Sequence, residues 1–337
     1  MVTVGIIGAV RIGRVHTKSI CNFVQNARIK TIAYPFMNDE TASWIRGMGV
    51  PGVTKAYHDI LEDPEIQAVL ICSSTDTHSE ISLEAIEAGK HVFCEKPIDH
   101  DLDRIQEVVQ ALSGSSVKYQ VGFNRRFDHN FAAVRRAVED GRIGDPHIIR
   151  VTSRDPEPPS AEYVAVSGGM FLDMTIHDFD MVRFLAGCDA EEIYVESAVL
   201  VDPAIGEAGD VDTAVITLRM QNGAIAVIDN SRKAVYGYDQ RAEVFGSKGM
   251  AATSNDTPSS MVLSNADGIT GEKPLYFFLE RYMDSFAAEM RCFIDAIEQD
   301  TDTPLGVDDG LKAVLMGIAA KKSAQEHRPV KLSEISF

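Results

Sequence analysis

Apolar runs and helical repeats alternate through the first third of the chain. Thr3-Val4-Gly5-Ile6-Ile7 is a β-rich run, and a helical pattern follows Gly13 to about Val24. A second strand over residues 28–33 ends at Tyr34-Pro35, and residues 40–48 read as a helix. Residues 53–56 make a short strand, and Ala68-Val69-Leu70-Ile71-Cys72 makes a stronger one. A helix over residues 77–88 stops at Gly89, and His91-Val92-Phe93-Cys94 is the next apolar strand. Residues 101–112 are helical, and residues 119–123 return to strand. Strands alternating with helices at this pitch predict a doubly wound parallel sheet of the Rossmann kind.

After Gly122 the pattern changes. A helix opens at Asn124 and runs to about Gly141, and residues 147–153 form a strand. A proline-rich loop over residues 154–160 follows, and residues 170–185 have one continuous helical period. Longer strands cover residues 192–200, 213–220, 224–230 and 241–245. Asn222-Gly223 is a hairpin turn between two of them. Strands 213–220 and 224–230 alternate poorly and are apolar along much of their length. Helices over residues 278–299 and 307–325 finish the chain. The second half is therefore expected to be an α+β domain with a large, open, mostly antiparallel sheet. The expected division is a first unit over residues 1–122 and a second over residues 123–337.

The length of 337 residues suits two domains, and a hydrophobic content of 45% can fill two cores. No apolar run reaches the length of a membrane span, and the first residues lack the features of a signal peptide. Cys21, Cys72, Cys94, Cys188 and Cys292 are scattered without metal-ligand spacing, which points to a reduced, cytoplasmic protein with no metal. A formal charge of −18 opposes binding to nucleic acid or to an anionic membrane. A small neutral substrate is compatible with it.

Three stretches carry candidate chemistry. Gly8-Ala9-Val10-Arg11-Ile12-Gly13 stands between the first strand and its helix. Gly8 and Gly13 fit the first and third glycines of a dinucleotide fingerprint, but Val10 holds the second place. A β-branched side chain there would crowd a pyrophosphate and resist a positive φ. Tyr34 holds the strand-end place where an acidic residue usually meets the adenosine ribose. The second stretch is Cys94-Glu95-Lys96-Pro97, which ends a buried strand on one lysine. That lysine either points into the ligand crevice of the sheet or snorkels to solvent. In the third stretch, residues 168–178, Asp173 and His177 are four apart and would share one helical face. A carboxylate beside an imidazole suits a general base for an alcohol proton. The same spacing suits an ordinary ion pair, or a metal if a third ligand were found.

Together with Gly122-Phe123-Asn124-Arg125-Arg126-Phe127-Asp128 and Tyr236-Gly237-Tyr238-Asp239-Gln240-Arg241, these motifs resemble the glucose–fructose oxidoreductase and inositol dehydrogenase family over essentially the whole chain. Within it the likeness is greatest to inositol 2-dehydrogenases. The resemblance implies a nicotinamide-dependent dehydrogenase that forms a homotetramer through its open sheet. It implies Lys96, Asp173 and His177 as the catalytic set, with Arg126, Asp155, Tyr236 and Tyr282 as further substrate-binding residues. It implies NAD, or NADP given Tyr34, held by Gly8, Val10, Arg11, Ile12, Gly13, Tyr34, Ser73, Thr75, His78, Glu95 and Lys96. A cis Lys96–Pro97 bond is expected from the same likeness.

The reaction expected is oxidation of one secondary hydroxyl of a cyclitol, such as myo-inositol, to a ketone. His177 takes the proton, Asp173 orients His177, and Lys96 bonds the same oxygen. The alternatives are a dehydrogenase of another polyol or an aldose such as glucose, or a binding or regulatory protein that has lost turnover. Val10 and Tyr34 favour the last of these, and the retained Lys96, Asp173 and His177 oppose it.

Overall fold

The computed structural model describes residues 1–335. The chain divides into two compact units, each with its own sheet.

The first unit holds Met1–Phe127 and Met283–Val314. Its strands are β1 (Val2–Ile7), β2 (Ala27–Ala33), β3 (Gly52–Thr54), β4 (Ala68–Ile71), β5 (His91–Cys94) and β6 (Tyr119–Val121). They lie in the order β3-β2-β1-β4-β5-β6, and every pair is parallel. This is the expected doubly wound sheet. Every residue of β1 and β4 is buried, because helices cover both faces, and so these strands read as unbroken apolar runs. The strand order reverses beside β1, where the carboxyl ends of β1 and β4 open a crevice.

The first boundary falls at Phe127, close to residue 122, but a single cut is not what the chain shows. Met290, Phe293 and Ile294 of the helix Met283–Gln299 lie in one buried cluster with Val4, Ile6 and Leu70. Asn26 Nδ2 also donates to Asp295 Oδ1 at 2.9 Å. The apolar face of this late helix finds its cover on the first sheet, so residues 283–314 belong with the first unit and not the second.

The second unit holds Asp128–Tyr282 and residues 315–335. Its large sheet uses β7 (Pro146–Arg154), β8 (Ala190–Ala198), β9 (Thr213–Met220), β10 (Ile225–Ser231), β11 (Asp239–Gly246) and β12 (Gly249–Ala252). A small hairpin, β13 (Val262–Asn265) with β14 (Gly268–Gly271), stands apart, and β15 (Val330–Lys331) completes the large sheet. The order is β12-β11-β7-β10-β9-β8-β15, antiparallel except for the β7–β10 pair. That parallel pair is invisible in a run of hairpin-like strands, because its partners are distant in sequence.

Several local expectations change, and the helix expected over residues 278–299 is broken at Tyr282 into Phe278–Arg281 and Met283–Gln299. β9 alternates cleanly, with Ala214, Ile216, Leu218 and Met220 buried and Val215, Thr217 and Arg219 exposed, so it is a half-solvated strand. The helix after Gly122 begins at His129, preceded by a 3₁₀ turn over Asn124–Phe127. Asp128 forces that start by capping it, accepting from Asn130 N at 3.1 Å and Phe131 N at 3.2 Å. The expected helix over residues 170–185 is broken into Met170–Asp173 and Ile176–Ala186. Asp173 and His177 therefore sit on two segments.

Candidate active site

In the first unit, the turn after β1 is shaped for close approach. Gly8 has φ of +113°, and a Cβ on it would stand 2.3 Å from Cys72 O. A Cβ on Gly13 would stand 2.1 Å from Gly8 O. Both positions exclude any side chain, as the fingerprint requires. The helix α1 (Arg11–Phe23) starts here, and no side chain caps its first turn. Uncapped N–H groups at a helix start suit a pyrophosphate. Val10 has φ of −91°, an ordinary value for a β-branched residue, so the expected backbone conflict does not arise. Its side chain is 48% exposed and helps line a cleft of about 480 Å³.

Arg11, Arg14, Tyr34, Phe36 and Asn38 line the same cleft. Tyr34 meets Phe36 edge-on at 5.7 Å between ring centres. Arg14 is tied down, with Nε donating to Ala9 O at 3.2 Å and its guanidinium over Trp44. Asn38 Oδ1 accepts from Thr41 N and caps the next helix. Ile12 packs on the core cluster behind the turn. The glycines, the open helix start and the cleft fit a dinucleotide, with an aromatic pair at the β2 end in place of an acid.

The ends of β4 and β5 carry the remaining first-unit residues. Ser73 Oγ and Thr77 Oγ1 are 2.7 Å apart, and Thr75 opens the 3₁₀ turn between them and the next helix. His78 is buried, and its two ring nitrogens face Pro97 O and Ser73 O. Its ring is thus engaged inside the protein. Glu95 is buried against His16, Nε2 to Oε1 2.6 Å, and its Oε2 accepts from Lys96 N at 3.3 Å. Lys96 is partly exposed, and the Lys96–Pro97 bond is cis, as expected. Arg126 donates from Nη2 to Asp309 Oδ1 at 2.9 Å.

In the second unit, Asp155 and Asp173 are brought together by a residue that the sequence did not single out. Arg232 is buried and donates to Asp155 Oδ2 at 3.3 Å and to Asp173 Oδ2 at 3.0 Å. Burial works against its charge, but the carboxylates of Asp173 and Asp155 outweigh that and raise its pKa further. Tyr163 donates to Asp173 Oδ1 at 3.0 Å. His177 lies in the first turn of its helix, and Asn230 of β10 anchors that turn. Asn230 Oδ1 accepts from Thr175 Oγ1 at 2.7 Å, and its Nδ2 donates to Asp178 Oδ2 at 2.8 Å. An amide on the inward side of an apolar strand was the available signal for Asn230. Arg232, two residues past it, carried no signal of its own.

Tyr236 and Tyr282 take other places. The Tyr236 hydroxyl donates to Asp239 Oδ2 at 2.6 Å and accepts from Arg154 Nη1 at 3.1 Å. Tyr282 is buried, edge-on to Tyr238. Asp128, His129 and Asp256 bring three metal-ligand types together, but Arg281 already bonds both carboxylates, at 2.5 Å and 2.8 Å. A guanidinium supplies the positive charge there.

Residues 2–123 match the model of the oxidoreductase family with an NAD-binding Rossmann fold. Residues 131–252 match the GFO/IDH/MocA C-terminal domain. The chain is also 47% identical to a myo-inositol 2-dehydrogenase of Thermotoga maritima, across 98% of this chain and 99% of that one. This chain belongs to the GFO/IDH/MocA oxidoreductase family. It is 43% identical to an inositol 2-dehydrogenase of Rhizobium meliloti, across 98% of each chain. Among solved structures, scyllo-inositol dehydrogenase from Lactobacillus casei, with bound NAD(H) and scyllo-inositol, superposes with a TM-score of 0.91 at 29% identity, over 99% of each chain. As a member of this oxidoreductase family, the chain has NAD as its coenzyme, and the glycine turn and its open helix start are the parts that suit it. No helix among the described residues is long and apolar enough to cross a membrane.

Proposed function

We propose that the chain oxidises one secondary hydroxyl of a cyclitol, myo-inositol or an isomer, to the ketone. The end-to-end likeness to a myo-inositol 2-dehydrogenase carries the choice of substrate. NAD, when bound, supplies the nicotinamide carbon that accepts the hydride. The backbone from Gly8 to Gly13 would hold its pyrophosphate, and Tyr34 would serve its adenosine end. His177 takes the hydroxyl proton as general base. Lys96 donates a hydrogen bond to the same oxygen and stabilises the charge that develops on it. Asp173 accepts from Arg232 at 3.0 Å, and a carboxylate held in this way favours the imidazolium that forms on His177. Asp155 shares the same arginine and is suited to accept from a second hydroxyl of the ring. A polyol needs such partners, since a buried hydroxyl left without one costs about 1–3 kcal/mol.

The test is the initial rate of NADH formation with myo-inositol, scyllo-inositol and glucose, each at saturating NAD. Turnover with an inositol well above that with glucose is expected. Glucose as the better substrate, or no turnover with any of the three, would overturn the reading.

We further propose a closed homotetramer in a reducing, cytoplasmic compartment. Val215, Ile225 and Phe245 stand exposed on the outward face of the large sheet, which a symmetric contact would cover. All five cysteines are free, which suits reducing conditions. Light scattering at micromolar concentration should give four times the chain mass, and a monomer would reject the assembly.

A further inference from the structure

His78 opens the ten-residue helix His78–Glu87, and its ring is 2% exposed. Nδ1 lies 2.8 Å from Pro97 O, and Nε2 lies 3.2 Å from Ser73 O. A carbonyl oxygen can only accept. A neutral imidazole has one nitrogen without a hydrogen, and here its lone pair would face a carbonyl lone pair. Both contacts are hydrogen bonds only when both nitrogens carry protons. The geometry therefore calls for a buried imidazolium.

Two influences oppose a cation at this place. One is burial, and the other is the positive end of the helix that His78 begins. Burial pulls its pKa down, but Cys94 and the carbonyls of Pro97 and Ser73 outweigh it and carry it up to about 9. Cys94 comes from β5, and Tyr119 of β6 interacts with Cys94 and meets Ser82 Oγ at 3.1 Å. Asp99 is bonded to Ser79 at 2.5 Å, and Glu95 is bonded to His16. Both carboxylates thus have bonds of their own.

What His78 joins gives the inference its content. Ser73 follows β4 and begins the loop before the 3₁₀ turn. Pro97 follows Lys96. The pairing of β4 with β5 ends where Glu95 N donates to Ile71 O at 3.0 Å. His78 makes the next bridge beyond that end. We propose that His78 is a positioning residue for the reaction: as an imidazolium it ties the Ser73 loop to the Lys96–Pro97 turn and so fixes where the Lys96 ammonium stands. This rests on the reading of Lys96 as catalytic.

Two measurements on the full chain test it. The first labels all nine histidines with ¹⁵N and records ring correlations of the coenzyme-free protein at pH 7.5. One ring should show both nitrogens protonated, and that signal should vanish in His78→Gln. A His78 ring with one bare nitrogen would overturn the proposal. The second is a double-mutant cycle. His78→Phe fills the space without donors and should lower kcat by roughly ten- to a hundredfold, the scale of a misplaced reacting group, while the Kd for NAD changes little. His78→Gln, which keeps amide donors, should recover part of the loss. In a Lys96→Ala background the same His78→Phe change should cost no more than about twofold, because the residue it acts through is gone. Equal losses in both backgrounds would make His78 merely structural and reject the proposal. Should His78→Phe fail to fold, His78→Gln takes its place in the cycle, with the same criterion. If Lys96→Ala keeps parental turnover, the catalytic reading of Lys96 fails and the positioning role falls with it, while the ring signal still reports the charge state of His78.

Discussion

Arg232 reaches Asp173 across 3.0 Å, although 59 residues separate them in the chain. A buried guanidinium thus holds the carboxylate that precedes the His177 segment, and holds Asp155 with the same fork. Removing one member of a buried ion pair leaves the other charge uncompensated, at a cost of about 3–5 kcal/mol. Arg232→Met should therefore lower unfolding stability by that order and lower kcat as well. Arg232→Lys should keep the charge but lose the two-pronged geometry, and fall between. Urea denaturation and initial rates on the three proteins check both statements. An Arg232→Met protein as stable as the parent would show that the pair contributes nothing.

Asn230 holds the turn that carries His177, so the imidazole starts from a fixed place. His177→Ala should reduce kcat by roughly 10²–10⁴-fold, the range for a positioned general base. NAD binding, followed by fluorescence titration, should hardly change. Lys96→Ala should depress kcat comparably. A rise in KM alone would instead assign Lys96 to substrate binding.

Tyr34 takes the β2-end position in a cleft with Arg11 and Phe36. An acid there accepts the ribose hydroxyls of NAD and repels the extra phosphate of NADP. A hydrogen bond to a charged group contributes about 1.5–3 kcal/mol, and each 1.4 kcal/mol is tenfold. Tyr34→Asp should shift the NAD-to-NADP affinity ratio by roughly ten- to a hundredfold toward NAD. Calorimetric Kd values for both coenzymes decide it, and an unchanged ratio would remove residue 34 from the ribose.

Asp239 titrates in the acid range with a defined sign. Burial pushes its pKa up, but bonds from Arg241, Tyr236 and Asn255 outweigh burial and bring it from 3.8 to about 2. The unfolded chain binds the proton more readily, so the stabilisation is present above about pH 4 and is lost as pH falls through 2. The contribution is on the order of 2 kcal/mol. Urea midpoints at pH 5 and pH 3 should differ more for the parent than for Asp239→Asn. Equal differences would show that Asp239 is not tuned in this way.

Much of the fold is already determined by local sequence. An unbroken apolar strand, two glycines and an amphipathic helix suffice for the β1 turn, because each choice is decided by neighbours a few residues away. The end of β5 two residues before Lys96 and the Asn222-Gly223 hairpin are legible for the same reason. Other features depend on where distant segments meet, and only the tertiary structure decided them. The helix Met283–Gln299 returns to the first sheet because its buried face fits there, and nothing in its own period names that sheet. The break at Met174 and Thr175 is tied to Asn230, a strand residue 55 positions later than Thr175. The charges of Asp155 and Asp173 are tied to Arg232, and the ring of His78 to Pro97, by contacts that exist only once the chain has folded. Periodicity reports which face of an element is apolar. The partner that satisfies a buried charge or amide is set by the path of the whole chain.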